Sequence, residues 1–310
     1  MREIGDIVRE FERRRGEPFV LATLVQTRGS SFRRPGARML ISADGKAVGS
    51  LSGGCLEEEV VERAREVLRA GAPALMTFDT RRRFGCNGAL EILVERADEG
   101  FLETLAEHCH RRRPCLIATR FAGDCGSRVV READPMFADE FRQFIEPAVQ
   151  LLIIGEGPDS IALRTIAGAL GWTVRAAESA AELDGPGDAW TAAVVKTHNY
   201  GRDFAALRAL LPLGLRYIGL MGPRARRAQL LGDILDTGIA AGPNFFAPAG
   251  LDLGGDAPES IALAIVAEIQ AVFAGGSRQS LRDRKTPIHA PRSDVIPSPS
   301  ATWKPLAQSF

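Results

Sequence analysis

Short apolar runs alternate with charged helical stretches over the first part of the chain. The opening segment MREIGDIVREFERRRGE has apolar residues at helical spacing and predicts an amphipathic helix. The segments that predict strands are PFVLATLVQT, ARMLIS, APALMTF, ALEILVE and CLIATRF. Asp44 and Gly45 predict a hairpin turn. Two more helices are predicted, one that stops at Gly71 and one from about Glu99 to Arg112. We therefore expect an α+β domain over residues 1–146.

From Val149 the pattern changes to apolar strand, glycine turn and helix, repeated. VQLLIIGEGPDSIALRTIAGALGW is one such unit, and TVRAAE, AWTAAVVKTH and LRYIGLMG predict the next strands. Repeated βαβ units are typical of a doubly wound parallel sheet, so we predict a Rossmann-like domain over residues 147–275. The fold class is thus α/β, with the α+β domain first. Ser, Pro and Arg dominate residues 276–310, which we expect to be a partly disordered extension.

Charge and hydropathy exclude two classes of partner. The 39 basic and 39 acidic side chains cancel, and a pI near 6.9 gives no general field that would attract nucleic acid. No apolar run approaches the roughly 20 residues of a membrane helix, and the first residues lack the apolar core of a signal peptide. We expect a cytoplasmic protein with no nucleic-acid and no membrane partner, whose five cysteines are free thiols.

Two of the cysteines are flanked by glycine turns. In SLSGGCLEE, Ser52 is a candidate helix N-cap, Gly53 and Gly54 let a ligand approach the backbone, and Cys55 falls in the first predicted helical turn. In DTRRRFGCNGALEI, Cys86 follows three arginines, a setting that favours a thiolate or an anion site. The alternatives are a buried cysteine acting as a small hydrophobe and a solvated charge run beside a turn.

The segment RGSSFRRPGARML joins the first two predicted strands and is rich in groups that bind anions. The hydroxyls of Ser30 and Ser31 and the guanidinium of Arg33, in a loop that also contains Gly36, could hold a phosphate by hydrogen bonds. The alternative is an ordinary hairpin connection with solvated arginines.

The segment GEGPDS follows an apolar strand where a dinucleotide-binding fold has its phosphate turn. Gly155 and Gly157 are its candidate cofactor-binding residues. Glu156 and Asp159 place two carboxylates where a pyrophosphate needs positive potential, which weighs against tight NAD(P) binding. His198, in KTHNYGRD, follows another strand, where such sheets bind ligands. The alternative to ligand binding is that His198 has a structural role, in the loop or as a helix cap.

Six ordered segments together resemble the XdhC/CoxI family of xanthine dehydrogenase accessory proteins. They are GSSFRRPGARM, SGGCLEEEV, FGCNGALEILVE, THNYGRD, YIGLMGPRAR and GLDLGGDAPESIALAIVAEI, within Phe19 to Ala274. The resemblance implies a cofactor chaperone rather than an enzyme. Such a protein binds the molybdenum cofactor (molybdopterin) transiently and assists its sulfuration and insertion into a xanthine dehydrogenase-like molybdenum hydroxylase. It also implies a homodimer and partnership with a cysteine desulfurase.

On this resemblance, we expect Cys55 and Cys86 to face one cleft, where they contact the metal or carry sulfur. Ser30, Ser31, Arg33 and the amides of Gly53 and Gly54 would then hold the anionic end of the cofactor. The sequence departs from the family's usual Gly-Ala-Gly-His turn at GEGPDS. An NAD(P)-dependent oxidoreductase with His198 as acid or base, and a ligand-free scaffold for client and desulfurase, remain open as alternatives.

Overall fold

The chain divides into two compact units, which are described separately. The computed structural model describes residues 2–29, 31–79, 88–182 and 187–285. The units are Met1–Pro147 and Ala148–Phe310. The described helices of the first unit are α1 (Arg2–Arg13), α2 (Glu57–Ala70) and α3 (Glu99–His110). Its described strands are β1 (Phe19–Gly29), β2 (Arg38–Ser42), β3 (Ala47–Gly49), β4 (Ala74–Asp79), β5 (Gly88–Arg96), β6 (Cys115–Arg120), β7 (Gly126–Val130) and β8 (Glu140–Ile145).

The larger sheet of the first unit has five antiparallel strands in the order β3-β2-β1-β5-β4. Alternate residues of its strands face opposite sides. Val20 and Ile92 therefore lie in one core with Val60 and Val67 of α2. The predicted hairpin turn is confirmed, because β2 and β3 pair directly around Asp44 and Gly45.

The second sheet of this unit has three antiparallel strands in the order β7-β6-β8. A separate core joins Leu21 of β1 to residues of the other elements, namely Ile7 of α1, Leu105 of α3 and Ile117 of β6. The three-stranded sheet and two of the helices thus share the apolar side of the larger sheet that α2 does not cover.

The second unit is built around a parallel sheet. Its described strands are β9 (Gln150–Ile154), β10 (Thr173–Ala177), β11 (Thr191–Val195), β12 (Tyr217–Leu220) and β13 (Phe245–Phe246). Its described helices are α4 (Pro158–Ala169), α5 (Tyr200–Leu210), α6 (Arg224–Asp236) and α7 (Pro258–Ala274). The strand order is β10-β9-β11-β12-β13. The predicted fold class, an α+β region followed by a Rossmann-like sheet, is confirmed.

Helices cover both faces of the parallel sheet. Leu163 of α4 and Ile265 of α7 lie in one buried cluster with Ile153. Leu207 of α5 and Leu230 of α6 lie in another, on the opposite face. Strands buried on both faces are apolar throughout, which is why VQLLII and AAVV show no alternation. Among the described residues, we find no helix with the length and apolar character that crossing a membrane requires.

Candidate functional site

The pairing of the larger sheet gathers the candidate loops of the first unit at one end. Gly29 pairs with Gly88 and Met39 pairs with Gly49. The chain that leads into β2 and the loop of residues 50–56, which follows β3, therefore lie at the same end of the sheet. Asp79, which ends β4, is at this end too. Ser30 and Cys86 lie outside the described residues, so their shared cleft with Cys55 stays a prediction.

The carboxylate of Glu57 organises the loop of residues 50–56. Its Oε1 accepts hydrogen bonds from the hydroxyl of Ser50 (2.9 Å) and the amides of Leu51 (3.2 Å) and Ser52 (2.8 Å). Its Oε2 accepts from the hydroxyl of Ser52 (2.6 Å) and the amide of Leu56 (3.1 Å). Burial alone would raise the pKa of Glu57, but these hydrogen bonds outweigh it and hold the pKa at about 2. The loop thus wraps around the chain's own anion.

Ser52 has a different place from the one predicted. Helix α2 begins at Glu57 with Leu56 as its N-cap, so the prediction of Ser52 as N-cap, with Cys55 inside the first turn, was wrong. The hydroxyl of Ser52 instead accepts from the amides of Gly54 and Cys55, each at 3.2 Å. The physical reason is that the Glu57 side chain folds back onto the amides before it, so helical backbone starts only there.

The thiol of Cys55 is exposed at the edge of this anchored loop. Its Sγ lies 3.6 Å from the hydroxyl of Ser52. A methyl group added at Gly53 or Gly54 would meet no atom of the described residues within 4 Å. The hydrogen-bonded loop therefore carries an exposed thiol.

The other described cysteines are less accessible. Cys115 is buried, and burial raises its pKa to about 11. Cys109 and Cys125 are half-buried, and burial raises the pKa of each. Of the four cysteines that the structure describes, Cys55 is the exposed one.

Side chains of the predicted anion-binding loop before β2 bind other groups of the protein. The hydroxyl of Ser31 donates to the carbonyl of Arg33 (2.7 Å), and the Arg33 guanidinium pairs with Glu3 of α1. The other oxygen of Glu3 accepts from the Arg38 amide (2.6 Å). Gly36 is buried with φ 95°, and a Cβ there would lie 2.5 Å from the side chain of Gln143. A phosphate that binds Arg33 would therefore compete with Glu3 for its guanidinium.

Sequence reasoning missed Arg38, which is fully buried in β2. Its Nη1 donates to the carbonyl of Gly36 (3.0 Å) and to the side chain of Gln143. Its Nε and Nη2, and the hydroxyl of Thr23 opposite it, have no hydrogen-bond partner among the described residues. Burial lowers the pKa of Arg38 to about 10. A single arginine within a predicted strand gave no sign of burial.

In the second unit, the turn after β9 lies against the chain that follows β11. A Cβ on Gly155, whose φ is 102°, would lie 2.8 Å from the Cα of Thr197, so the close approach needs glycine. Sequence reasoning also missed Lys196, which is fully buried beside this turn. Its Nζ lies 2.9 Å from Oδ1 of Asp159 and 3.0 Å from the hydroxyl of Ser160. The available clue was a lone lysine directly after an apolar strand.

His198 is exposed and has a left-handed backbone, with φ 55°. Hydrogen bonds hold the residues before and after it, Thr197 and Asn199. The amide of Thr197 donates to the buried carboxylate of Asp203 (3.2 Å), which also pairs with Arg226. Asn199 caps α5 by accepting from the Arg202 amide (3.1 Å). The imidazole thus stands at the carboxyl end of β11 on a fixed turn, beside the turn that contains Gly155.

The described part of the chain contains no metal site made wholly from protein side chains. Over residues 2–29, 31–79, 88–182 and 187–285, no three His, Cys, Asp or Glu side chains are grouped so that they could hold an ion.

Comparison with known proteins identifies the chain's relatives. The family model described as "XdhC and CoxI family" matches residues 12–79, and the model described as "XdhC Rossmann domain" matches residues 151–269. A protein of Bacillus subtilis named as a probable subunit of xanthine dehydrogenase is 30% identical over 314 residues, covering 82% of this chain and 92% of that protein. The chain belongs to the XdhC and CoxI family.

A second curated protein and a solved structure are also similar to this chain. The molybdenum cofactor insertion chaperone PaoD of Escherichia coli is 24% identical over 280 residues, which is 83% of this chain and 84% of that protein. A crystal structure described as a xanthine dehydrogenase from Bacillus halodurans matches with a TM-score of 0.74 at 23% identity. It covers 90% of this chain and 98% of that one, and it supports the fold. The first family match contains the Cys55 loop, and the second contains Lys196 and His198.

Proposed function

We propose that this XdhC/CoxI protein is a chaperone of the molybdenum cofactor. It binds the cofactor transiently as cargo and assists its sulfuration and insertion into a xanthine dehydrogenase-type molybdenum hydroxylase. Two named relatives support this role, a cofactor insertion chaperone and a probable component of xanthine dehydrogenase. The proposal includes a homodimer in the cytoplasm and a cysteine desulfurase as sulfur donor.

The exposed thiol of Cys55 is the observation that carries the proposal. A molybdenum centre with sulfur ligands is soft and suits a thiolate. Glu57 holds the loop by hydrogen bonds, and among the described residues no atom lies within 4 Å of a Cβ added at Gly53 or Gly54. Cys55 would contact the metal or carry the sulfur, with Cys86 as its predicted partner.

In the structure, groups predicted to hold the anionic end of the cargo have internal partners. Arg33 already has Glu3 as its counter-ion, and the amides of Gly54 and Cys55 already donate to Ser52. Cargo binding through Arg33 would exchange the Glu3 carboxylate for a phosphate, an anion that guanidinium groups also bind. Variants of Glu3 would therefore change cargo affinity if Arg33 takes part.

The test is co-expression of the full chain with the cofactor pathway and a molybdenum hydroxylase. Molybdenum and pterin are measured in the purified chain, and activity is measured in the client. We expect Cys55→Ala to lower bound cofactor and client activation by about tenfold or more. Cys125→Ala, a half-buried thiol outside the loop, is the matched control and keeps both.

Two outcomes would contradict the proposal. Retention of cofactor and client activation by both Cys55→Ala and Cys86→Ala would remove the thiols from the mechanism. A wild-type chain that binds the client but never contains molybdenum or pterin would favour the scaffold. Sedimentation of the purified chain tests the homodimer independently.

A further inference from the structure

The strand order of the second unit creates a crevice where sheets of this kind bind phosphate-bearing ligands. In doubly wound sheets, that place lies outside the carboxyl ends of two neighbouring strands whose connections run in opposite directions. Here these strands are β9 and β11, because β10 lies on one side of β9 and β11 lies on the other. Gly155 directly follows β9, and Lys196 directly follows β11. A phosphate would therefore lie between the turn and Lys196.

The chain fills this place with its own ion pair. The Lys196 ammonium is fully buried and contacts Oδ1 of Asp159 (2.9 Å), the hydroxyl of Ser160 (3.0 Å) and the carbonyl of Gly155 (3.4 Å). The side chain of Asp159 is only 13% exposed. A buried ammonium needs a compensating anion, since an unpaired buried charge is strongly destabilising. Asp159 supplies that anion from the first turn of α4.

Gly157 would make room for a phosphate in a dinucleotide-binding turn, and here it makes room for the ion pair of Lys196 and Asp159. A Cβ on Gly157 would lie 2.9 Å from Oδ1 of Asp159 and 3.2 Å from Nζ of Lys196. Two positions of the turn also offer no amide to an outside anion. Pro158 has no N–H, and the amide of Ser160 donates to the carbonyl of Gly157 (3.0 Å). Groups of the protein itself thus occupy the place of a phosphate and balance the charge of Lys196.

We propose that Asp159 excludes phosphate groups from this turn by occupying, with its own carboxylate, the site of a phosphate facing Lys196. The role is one of specificity. Asp159 keeps the Rossmann-like unit closed to dinucleotides and inorganic pyrophosphate, while Lys196 remains able to pair with an outside anion once the carboxylate is gone. The proposal goes beyond the cofactor-chaperone function and does not depend on it.

Anion rescue tests the proposal on the full chain. Thermal unfolding is followed by the fluorescence of Trp172 and Trp190, which pack on the core of this unit. The proteins are wild type, Asp159→Ala, Asp159→Asn, Lys196→Met and the double variant Asp159→Ala/Lys196→Met. Each is measured in sodium pyrophosphate and in sodium chloride of equal ionic strength, and calorimetry with pyrophosphate and NAD⁺ follows.

Pyrophosphate should raise the melting temperature of both Asp159 single variants by about 3 °C or more over chloride. The melting temperatures of wild type, Lys196→Met and the double variant should change by less than about 1 °C. Wild type retains the Asp159 carboxylate, and the other two proteins lack the ammonium. NAD⁺ should bind the Asp159 variants more tightly than wild type.

Three results would overturn the proposal. The first is binding of pyrophosphate or NAD⁺ to wild type as tightly as to Asp159→Ala. The second is folded Asp159 variants that do not respond to pyrophosphate. The third is failure of both variants to fold even in pyrophosphate, since an outside anion would then not replace the carboxylate. None of these results bears on cofactor binding at Cys55, so the two proposals fail separately.

Discussion

Replacing Glu57 by glutamine should loosen the loop that presents Cys55 by a predictable amount. The pKa of Glu57 lies at about 2, against an ordinary value of 4.5. One pKa unit corresponds to about 1.36 kcal/mol, so the carboxylate contributes at most about 3.4 kcal/mol at neutral pH. The side chain is only half-buried, and solvent screening reduces this to roughly 1.5–2 kcal/mol.

The direction of the pH dependence follows from the lowered pKa. A carboxylate whose folded pKa is depressed stabilises the protein above its unfolded pKa of about 4.5 and loses this contribution as the pH falls toward 2. The difference in unfolding free energy between wild type and Glu57→Gln should therefore shrink by about half or more between pH 7 and pH 3.

Urea unfolding followed by far-UV circular dichroism at pH 7 and pH 3 measures this difference. All three tryptophans lie beyond residue 147, so their fluorescence reports the second unit and should not change. Glu58→Gln is the matched control, because Glu58 is exposed on the next position of the same helix. Equal effects of the two substitutions at pH 7, or a Glu57→Gln effect that does not depend on pH, would refute the reasoning.

Three further predictions concern backbone and thiol chemistry. His198→Asn should keep the melting temperature within roughly 2 °C, because asparagine tolerates a φ near 55°, whereas His198→Val should lower it clearly; equal melting temperatures would contradict this. Iodoacetamide at pH 8 should alkylate Cys55 at least about tenfold faster than Cys115, whose buried thiol has a pKa of about 11, as mass spectrometry of peptides would show. Gly49→Ala should cost roughly 2 kcal/mol more than Gly54→Ala in urea unfolding. Both glycines have positive φ, but an added Cβ would lie 2.2 Å from a backbone oxygen at Gly49 and more than 4 Å from any described atom beyond its chain neighbours at Gly54; similar losses would count against the steric argument.

The sequence predicted the candidate sites unevenly. It indicated the exposed Cys55 loop and the turn containing Gly155, because glycines beside a thiol or after an apolar strand are local patterns. It placed the start of α2 too early, since nothing in LEEE shows which glutamate folds back onto the preceding amides. It gave Arg33 as a candidate for binding an outside anion and could not show that Glu3 pairs with it from thirty positions away.

The sequence by itself determined the elements and their class. Periodicity gave the strands, the helix that stops at Gly71 and the parallel sheet, because these depend on residues a few positions apart. Only the tertiary structure decided which charges meet. Lys196 reaches Ser160 across 36 positions and Gly155 across 41, and it finds Asp159 only after β9 and β11 become neighbours. Hydrophobic spacing specifies which face of an element is buried, but a buried charge is satisfied by whatever partner the completed fold brings within reach.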